Sequence, residues 1–409
     1  MSTPPPSRWA AVAAVTVGIF AIVTTEILPI GLLTPIADGF GVSAGTAGWT
    51  MTVPGIVAAV AAPVVTVATG RFDRRAMLVV LMLLLAAAGL LAAAAPTFGI
   101  LLAARFLVGL VIGGFWSIGS GLAPRLAGTA AAGRATAVIF SAVPLGSVLG
   151  VPLATLAGQL AGWRTAFLLL GLLSLATAVA LRIATPSLPA TEVTRPAVLK
   201  GLLTRSGVRS GLAVTFLVVL AHFGTYTYLT PLLRDVVRPG VLSGYLLAYG
   251  AAGIAGTFLA GARRLTFAPA ALLIAAATIL LPHAGPLGAL ALLIVWGVAY
   301  GAVPVCSQTW FAREAPDAPE AATVLFTASF QATISVGALA GGFVVDAVSV
   351  PAVMTGGGVV ALAAAAVVQG ARRTGTPARS ARGISATAST TSSSRESSSG
   401  GAGESSSTE

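Results

Sequence analysis

The 409 residues are 56% hydrophobic and only 9% charged, against roughly a quarter charged in an ordinary soluble domain, so there is too little polar side chain to cover a water-facing surface. A single cysteine, Cys306, excludes a disulfide within the chain, and with two histidines it offers no zinc site of ordinary ligand count without carboxylates. The formal charge of +11 would point to phosphate contacts in a soluble chain; here it has a better explanation in membrane orientation, and no nucleic-acid partner is implied.

A run of about 20 mostly apolar residues crosses a bilayer as a helix, because only a helix satisfies its own backbone polar groups there. Such runs fall at residues 10–33, 47–69, 76–95, 98–122, 135–158 and 165–183. The first exceeds the apolar core of a cleaved leader in length and opens a series of similar runs, so it reads as a span. Residues 184–210 are polar, and six more runs follow at 211–233, 241–261, 267–281, 287–310, 321–345 and 350–368, the ninth of the series being short. The expected fold is therefore all-α and integral to the membrane, with twelve transmembrane helices in two pseudo-symmetric six-helix bundles. Residues 1–183 form the first bundle, 184–210 a central cytoplasmic loop and 211–369 the second bundle. Residues 370–409 turn into a Ser, Thr and Gly tract too polar to bury a core, and read as a disordered cytoplasmic tail.

With the N-terminus in the cytoplasm, every Lys and Arg except Arg105, Arg164, Arg234 and Arg238 falls on the inner side, 19 of 23. The positive-inside rule favours that orientation, with both termini cytoplasmic in the inner membrane. Ala137-Val-Ile-Phe-Ser-Ala142 in the fifth span is matched in size and polarity by Thr323-Val-Leu-Phe-Thr-Ala328 in the eleventh. Six spans separate the two strings, as two parallel repeats about an axis along the membrane normal require, with a substrate site near the midplane between them.

Eleven of the twelve acidic residues lie in loops, span ends or the tail. Glu26 is the one acid within a span, and Arg105 is the one base deep in a span. An embedded carboxyl is costly unless protonated, paired or wetted, so Glu26 is a candidate proton carrier. Counted from the outer ends, Glu26 lies eight residues below Thr34 and Arg105 eight below Thr97, about 12 Å deep in both cases at 1.5 Å per residue. The two can meet at one level, either as a coupling pair or as a static buried salt bridge. In the second half, His222, Tyr226 and Tyr228 of span 7 and Trp296, Tyr300, Ser307 and Gln308 of span 10 offer aromatic faces and hydrogen bonds without a carboxylate. They suit an uncharged or flat ligand, or else fill helix contacts and interfacial belts, and His222 can alternatively serve as a second proton carrier. Glycine pairs at Gly109/Gly113, Gly146/Gly150 and Gly337/Gly341 permit close helix approach.

The residues resemble those of the major facilitator superfamily, and within it the bacterial twelve-span drug:proton antiporters. The resemblance covers the chain apart from its tail. Its carriers are Glu26-Ile-Leu-Pro29 followed by Leu32-Leu-Thr-Pro35, Arg71-Phe-Asp-Arg-Arg75, Arg105-Phe-Leu-Val-Gly109 and Gly162-Trp-Arg164. Gly113-Gly-Phe-Trp-Ser117 and Val303-Pro-Val305 look most like the purine ribonucleoside efflux pumps of the family. The resemblance implies spans 1, 4, 7 and 10 around a central cavity, and it associates the arginine matched by Arg105 with proton coupling. It places Trp116, His222, Tyr226, Trp296, Tyr300 and Gln308 at the substrate cavity, and Arg71, Asp73, Arg74 and Arg75 in a conformational loop. Two departures stand out: Gly70 occupies the place of the acid that latches the two halves, with Asp73 three residues on, and Val151 separates Gly150 from Pro152 in the antiporter motif.

These features together lead to the expectation of a monomeric proton-coupled antiporter exporting small organic molecules, antibiotic, nucleoside or sugar-like, with no cofactor, no metal and no enzymatic activity. An importer of the same fold using proton symport and a transporter-like sensor are the rival readings.

Overall fold

A computed structural model describes residues 9–68, 72–119, 122–128, 131–189, 196–262 and 265–374. The first residues of the expected tail 370–409 continue the last helix as far as Thr374, and the rest, from residue 375 onward, lies outside the described residues. The first half consists of α1 (Trp9–Phe40), the short α2 (Ala44–Ala47), α3 (Trp49–Ala68), α4 (Arg74–Ala93), α5 (Phe98–Gly119), the short α6 (Leu122–Ala127), α7 (Ala132–Ala161) and α8 (Trp163–Ala184). A linking helix, α9 (Pro196–Leu203), leads to α10 (Ser206–Tyr226), α11 (Leu229–Val236), α12 (Pro239–Gly261), α13 (Phe267–Leu280), α14 (Pro286–Glu314), α15 (Pro319–Ala347) and α16 (Val350–Thr374).

Eleven of these helices are long and apolar enough to span a membrane. The twelfth, α13, is the short ninth span, and a 3-10 turn over Leu281–His283 extends it. Fourteen α-helical and three 3-10 residues reach about 27 Å at about 1.5 and 2.0 Å per residue, close to the hydrocarbon thickness of about 30 Å. α1 instead runs 32 residues and ends at Phe40 rather than at residue 33; at about 48 Å it outruns the hydrocarbon and carries Asp38 beyond it. Span 7 begins earlier than the polarity of its first turn suggests, at Ser206, and its continuous helix stops at Tyr226.

α1 contains two internal prolines, Pro29 and Pro35. A proline has no N–H to give the carbonyl four residues back, and in lipid such a freed carbonyl must find another donor. The carbonyl freed by Pro35 is Gly31 O, and it accepts from Thr155 Oγ1 of α7 at 3.2 Å. Glycines set the close helix pairs. Gly109 and Gly113 on α5 leave so little room that a Cβ on either would stand 2.6 Å from Pro54 O or 2.8 Å from Ala58 O on α3. Gly337 and Gly341 press α15 onto the backbone of α10 at Gly224 in the same way, and Gly146 and Gly150 admit Val23 and Thr24 of α1.

The two halves meet along α3–α15 and α7–α12. Among the described residues, the hydrogen bonds that cross between halves lie from mid-bundle towards the end that carries Phe40 and Trp49, here called the far face. Thr230 Oγ1 donates to Ile30 O at 2.6 Å and Gln159 Nε2 to Pro239 O at 2.6 Å. At the end of α15, Asp346 accepts from Ser43 Oγ at 2.6 Å and from the N–H of Gly45 at 3.0 Å. Towards the opposite, basic face, an open, largely apolar groove lies on the second half between α10 and α15, lined by Leu212, Ala213, Phe216, Leu217, Leu325 and Ser329. The hydrogen bonds between the halves hold the seam together at the far face.

Candidate functional site

Glu26 sits two residues past the middle of α1's buried stretch and is half-buried, whereas Arg105 on α5 is completely buried. They do not form an ion pair. Arg105 donates from Nε to Thr50 O at 2.7 Å, from Nη1 to Thr25 O at 2.7 Å and from Nη2 to the main-chain Glu26 O at 2.9 Å. Two of these acceptors have a common origin: Thr25 stands four residues before Pro29, and Thr50 four residues before Pro54. Each proline removes the N–H that an α-helix would aim at that carbonyl, and the planar fork of one guanidinium supplies both missing donors. Arg105 thus repairs proline gaps in α1 and α3 at once. The expectation that Glu26 and Arg105 share a level agrees with this geometry, but the contact runs to Glu26's backbone, and the carboxyl is left facing the seam.

Across the seam, Gln331 of α15 brings its side-chain amide within hydrogen-bonding reach of the Glu26 carboxyl. Gln331 is buried, and its Oε1 has no partner. Tyr300 of α14 stands close enough to Glu26 for the two groups to interact electrostatically.

Tyr300 begins a stack of rings. It lies 3.3 Å, centroid to centroid, from His222, nearly parallel at 8°. His222 stacks on Tyr226 at 5.0 Å, and Tyr226 on Tyr249 at 4.7 Å. Trp296 stands edge-on to His222 at 5.6 Å and donates from Nε1 to His222 Nδ1 at 3.1 Å. An indole N–H can only donate, so His222 Nδ1 carries a lone pair rather than a proton, and protonation there would break this bond. The sequence spacing accounts for the cluster: His222/Tyr226 and Trp296/Tyr300 are i, i+4 pairs, which place both members on one helix face.

Two members carry no charge and were not among the sequence candidates. Tyr249 of α12 is buried, with its hydroxyl unpartnered; its signal was an aromatic in mid-span. Gln331 was visible as a polar amide in the middle of span 11, a rare and costly placement in lipid. Gln308 does not join the site. It is exposed, because one residue of helix turn carries it away from Ser307, which faces inward and bonds Thr215 Oγ1 at 3.1 Å. Tyr228 also turns elsewhere, donating to Ala338 O at 2.7 Å. Trp116 lies on α5, and its side chain is outside the described residues, as is Arg71.

The rest of the conformational loop works within the first half. Asp73 caps α4 by accepting from Ala76 N at 3.1 Å, and it also accepts from Ser187 Oγ at 2.6 Å and Leu188 N at 2.7 Å. Arg74 N donates to Leu188 O at 2.8 Å, and Arg75 is half-buried. Desolvation pushes the Asp73 carboxyl up, but the bonds from Ser187, Ala76 and Leu188 and the charge of Arg125 outweigh it and hold the group below its ordinary value. Asp73 therefore ties the loop after span 2 to the strap that leaves span 6.

The chain is 32% identical over 348 residues to the purine ribonucleoside efflux pump NepI of Salmonella paratyphi A, covering 83% of this chain and 88% of that protein. Its fold is similar to that of a bacterial homologue of the human lysosomal transporter Spinster in an inward-facing, unoccupied conformation, with a TM-score of 0.75, 15% identity, and coverage of 91% and 98% of the two chains. It is also similar to the human organic anion transporter MFSD10, with a TM-score of 0.66, 16% identity, and coverage of 90% and 100%. The family profile described as the Major Facilitator Superfamily matches residues 14–321, and this multi-pass membrane chain belongs to that superfamily of transporters.

Proposed function

We propose that the protein is a proton-coupled antiporter that exports small organic molecules across the cytoplasmic membrane, with purine ribonucleosides the first class to test. The observation that carries the reading is the state of Glu26. Glu26 is half-buried within a span at the seam between the halves, and the nearby guanidinium is bonded to backbone carbonyls rather than to its carboxyl. Such a carboxyl is available to a proton or to a ligand, in competition. Coupling needs that competition, together with different ligand affinities in the two access states.

The basic face is cytoplasmic by the positive-inside rule, so the far face, held by the hydrogen bonds between the halves, is the outer one. The ring stack of Tyr300, His222, Tyr226 and Tyr249 supports a flat aromatic substrate, since a base adds to such a stack by the same face-to-face contact. The tight His222–Tyr300 contact leaves no slot between those two rings, so a base stacks outside the pair or moves Tyr300. The efflux activity named for the relatives in Salmonella agrees with export.

Everted vesicles supplied with purine nucleosides, sugars and antibiotics test the proposal directly. Accumulation of a nucleoside with release of protons is the expected result, and Glu26→Gln should abolish the proton-driven part while the protein still inserts. Transport in Glu26→Gln with unchanged pH dependence would overturn it.

A further inference from the structure

We propose that Gln331 is a positioning residue that carries the protonation state of Glu26 across the seam between the two halves. Its amide donates to the ionised carboxylate. Turned over about its last side-chain bond, it accepts from the protonated carboxyl instead. The inference rests on the reading of Glu26 as the proton carrier and adds the group that responds to it.

Three features of the site support the assignment. First, the amide is buried and aimed at Glu26, yet Oε1 has no partner. A buried unpaired acceptor in a native fold calls for an explanation, and here a proton donor appears beside it whenever Glu26 takes up a proton. An amide has both a donor and an acceptor end at nearly the same size, so it can bond either form of the carboxyl without moving the backbone. Second, the other groups facing the carboxyl are donor-only or held by other contacts, the Tyr300 hydroxyl being the one that can also both donate and accept. Arg105 of α5 is bonded to Thr25 O, Thr50 O and the main chain of Glu26; Tyr300 of α14 lies near but belongs to the ring stack; α7 meets this part of α1 through Gly146 and Gly150. Third, Gln331 sits where the halves touch: Gly55 of α3 packs so closely on Gln331 O and Ser335 Oγ that no Cβ fits between them.

The consequence is a defined dependence on residue 331. With leucine there, the ionised carboxylate loses a charge-assisted hydrogen bond and the protonated form only a weaker neutral one, so the neutral form is favoured and the pH profile of exchange moves to higher pH by about one unit. Asparagine keeps both ends of the amide and should recover part of that shift.

The test compares wild type, Gln331→Leu, Gln331→Asn and Glu26→Gln in proteoliposomes over a range of internal pH, with nucleoside exchange as the readout. Infrared difference spectra of the purified proteins follow the protonated-carboxyl C=O band against pH, a measurement that needs folded protein but no turnover. The proposal expects the band and the transport midpoint to move together in Gln331→Leu and to return partway in Gln331→Asn. If Glu26→Gln removes the band and the pH dependence while Gln331→Leu leaves both midpoints in place, the role of Gln331 is refuted and the proton carrier stands. A band that persists in Glu26→Gln with wild-type pH dependence refutes both.

Discussion

Arg105 offers the sharpest test, because its role as a donor to proline-freed carbonyls predicts a coupling between residues far apart in sequence. Replacing it by methionine leaves Thr25 O and Thr50 O without donors, at about 1–3 kcal/mol for each buried unsatisfied group, or about 2–6 kcal/mol in all. Removing a buried charge recovers part of that, and measured hydrogen bonds between membrane helices average only about 0.6 kcal/mol, so the single variant is ambiguous. A mutant cycle is not. In an Arg105→Met background, Pro29→Ala restores an N–H four residues after Thr25, and the helix can close its own bond. In the wild-type background the same change adds a donor to a carbonyl that Arg105 already satisfies. Pro29→Ala should therefore be about 1–2 kcal/mol more favourable when Arg105 is absent. Equilibrium unfolding of the purified protein in mixed detergent, followed by tryptophan fluorescence and circular dichroism, measures all four corners. Effects that add within about 0.5 kcal/mol, the behaviour of independent sites, would refute the proline-gap account and return Arg105 to a purely electrostatic role.

Two further predictions concern the seam and the loop. Gly55→Val places a branched side chain against Gln331 O and Ser335 Oγ and should prop the far face open; a cysteine at Ala47, which is fully buried there, should then react about fivefold faster or more with an impermeant maleimide, as about 1 kcal/mol against the closed form implies, and an unchanged rate would refute the closure. Asp73 is held below its ordinary value of 3.8, so its stabilisation is complete above that pH and is lost as pH falls through the lower folded value; Asp73→Asn should remove this part of the acid limb in a stability profile, and an identical acid limb in the variant would count against the cap.

Much of the architecture is readable in the sequence because lipid allows so few alternatives. Each apolar run had to be a helix, and the short ninth run reaches across only because the 3-10 turn at Leu281–His283 lengthens it. Helix ends were less legible. The polar sequence of Thr34, Pro35 and Asp38 reads as a boundary, yet α1 continues to Phe40, since Thr155 satisfies the carbonyl that Pro35 frees. Within the site, spacing alone grouped His222 with Tyr226 and Trp296 with Tyr300. It failed at Gln308, where polarity was taken without helix phase, and at Gln331 and Tyr249, where attention to charge passed over neutral polar groups. The bond between Arg105 and α1 was legible in principle, because a proline in a membrane helix always leaves a carbonyl to be satisfied and an embedded arginine always has donors to place.

The same carbonyls decide which way α1 moves when the halves rock. Arg105 on α5 and Thr155 on α7 bind α1 to the first half through Thr25 O and Gly31 O, and each of those acceptors lacks an alternative because a proline removed it. Thr230 of α11 also donates to α1, at Ile30 O, but Ile30 lies four residues before Thr34, whose N–H can serve that carbonyl on its own. The bond to the second half is thus the replaceable one, and it is the one that must break for the far face to open. In the proposed exchange α1 would travel with α5 and α7 and take the Glu26 carboxyl away from Gln331 while Arg105 keeps its backbone bonds. A carboxyl that loses its amide partner in one access state and regains it in the other binds a proton differently in the two, which is the difference that coupled exchange requires.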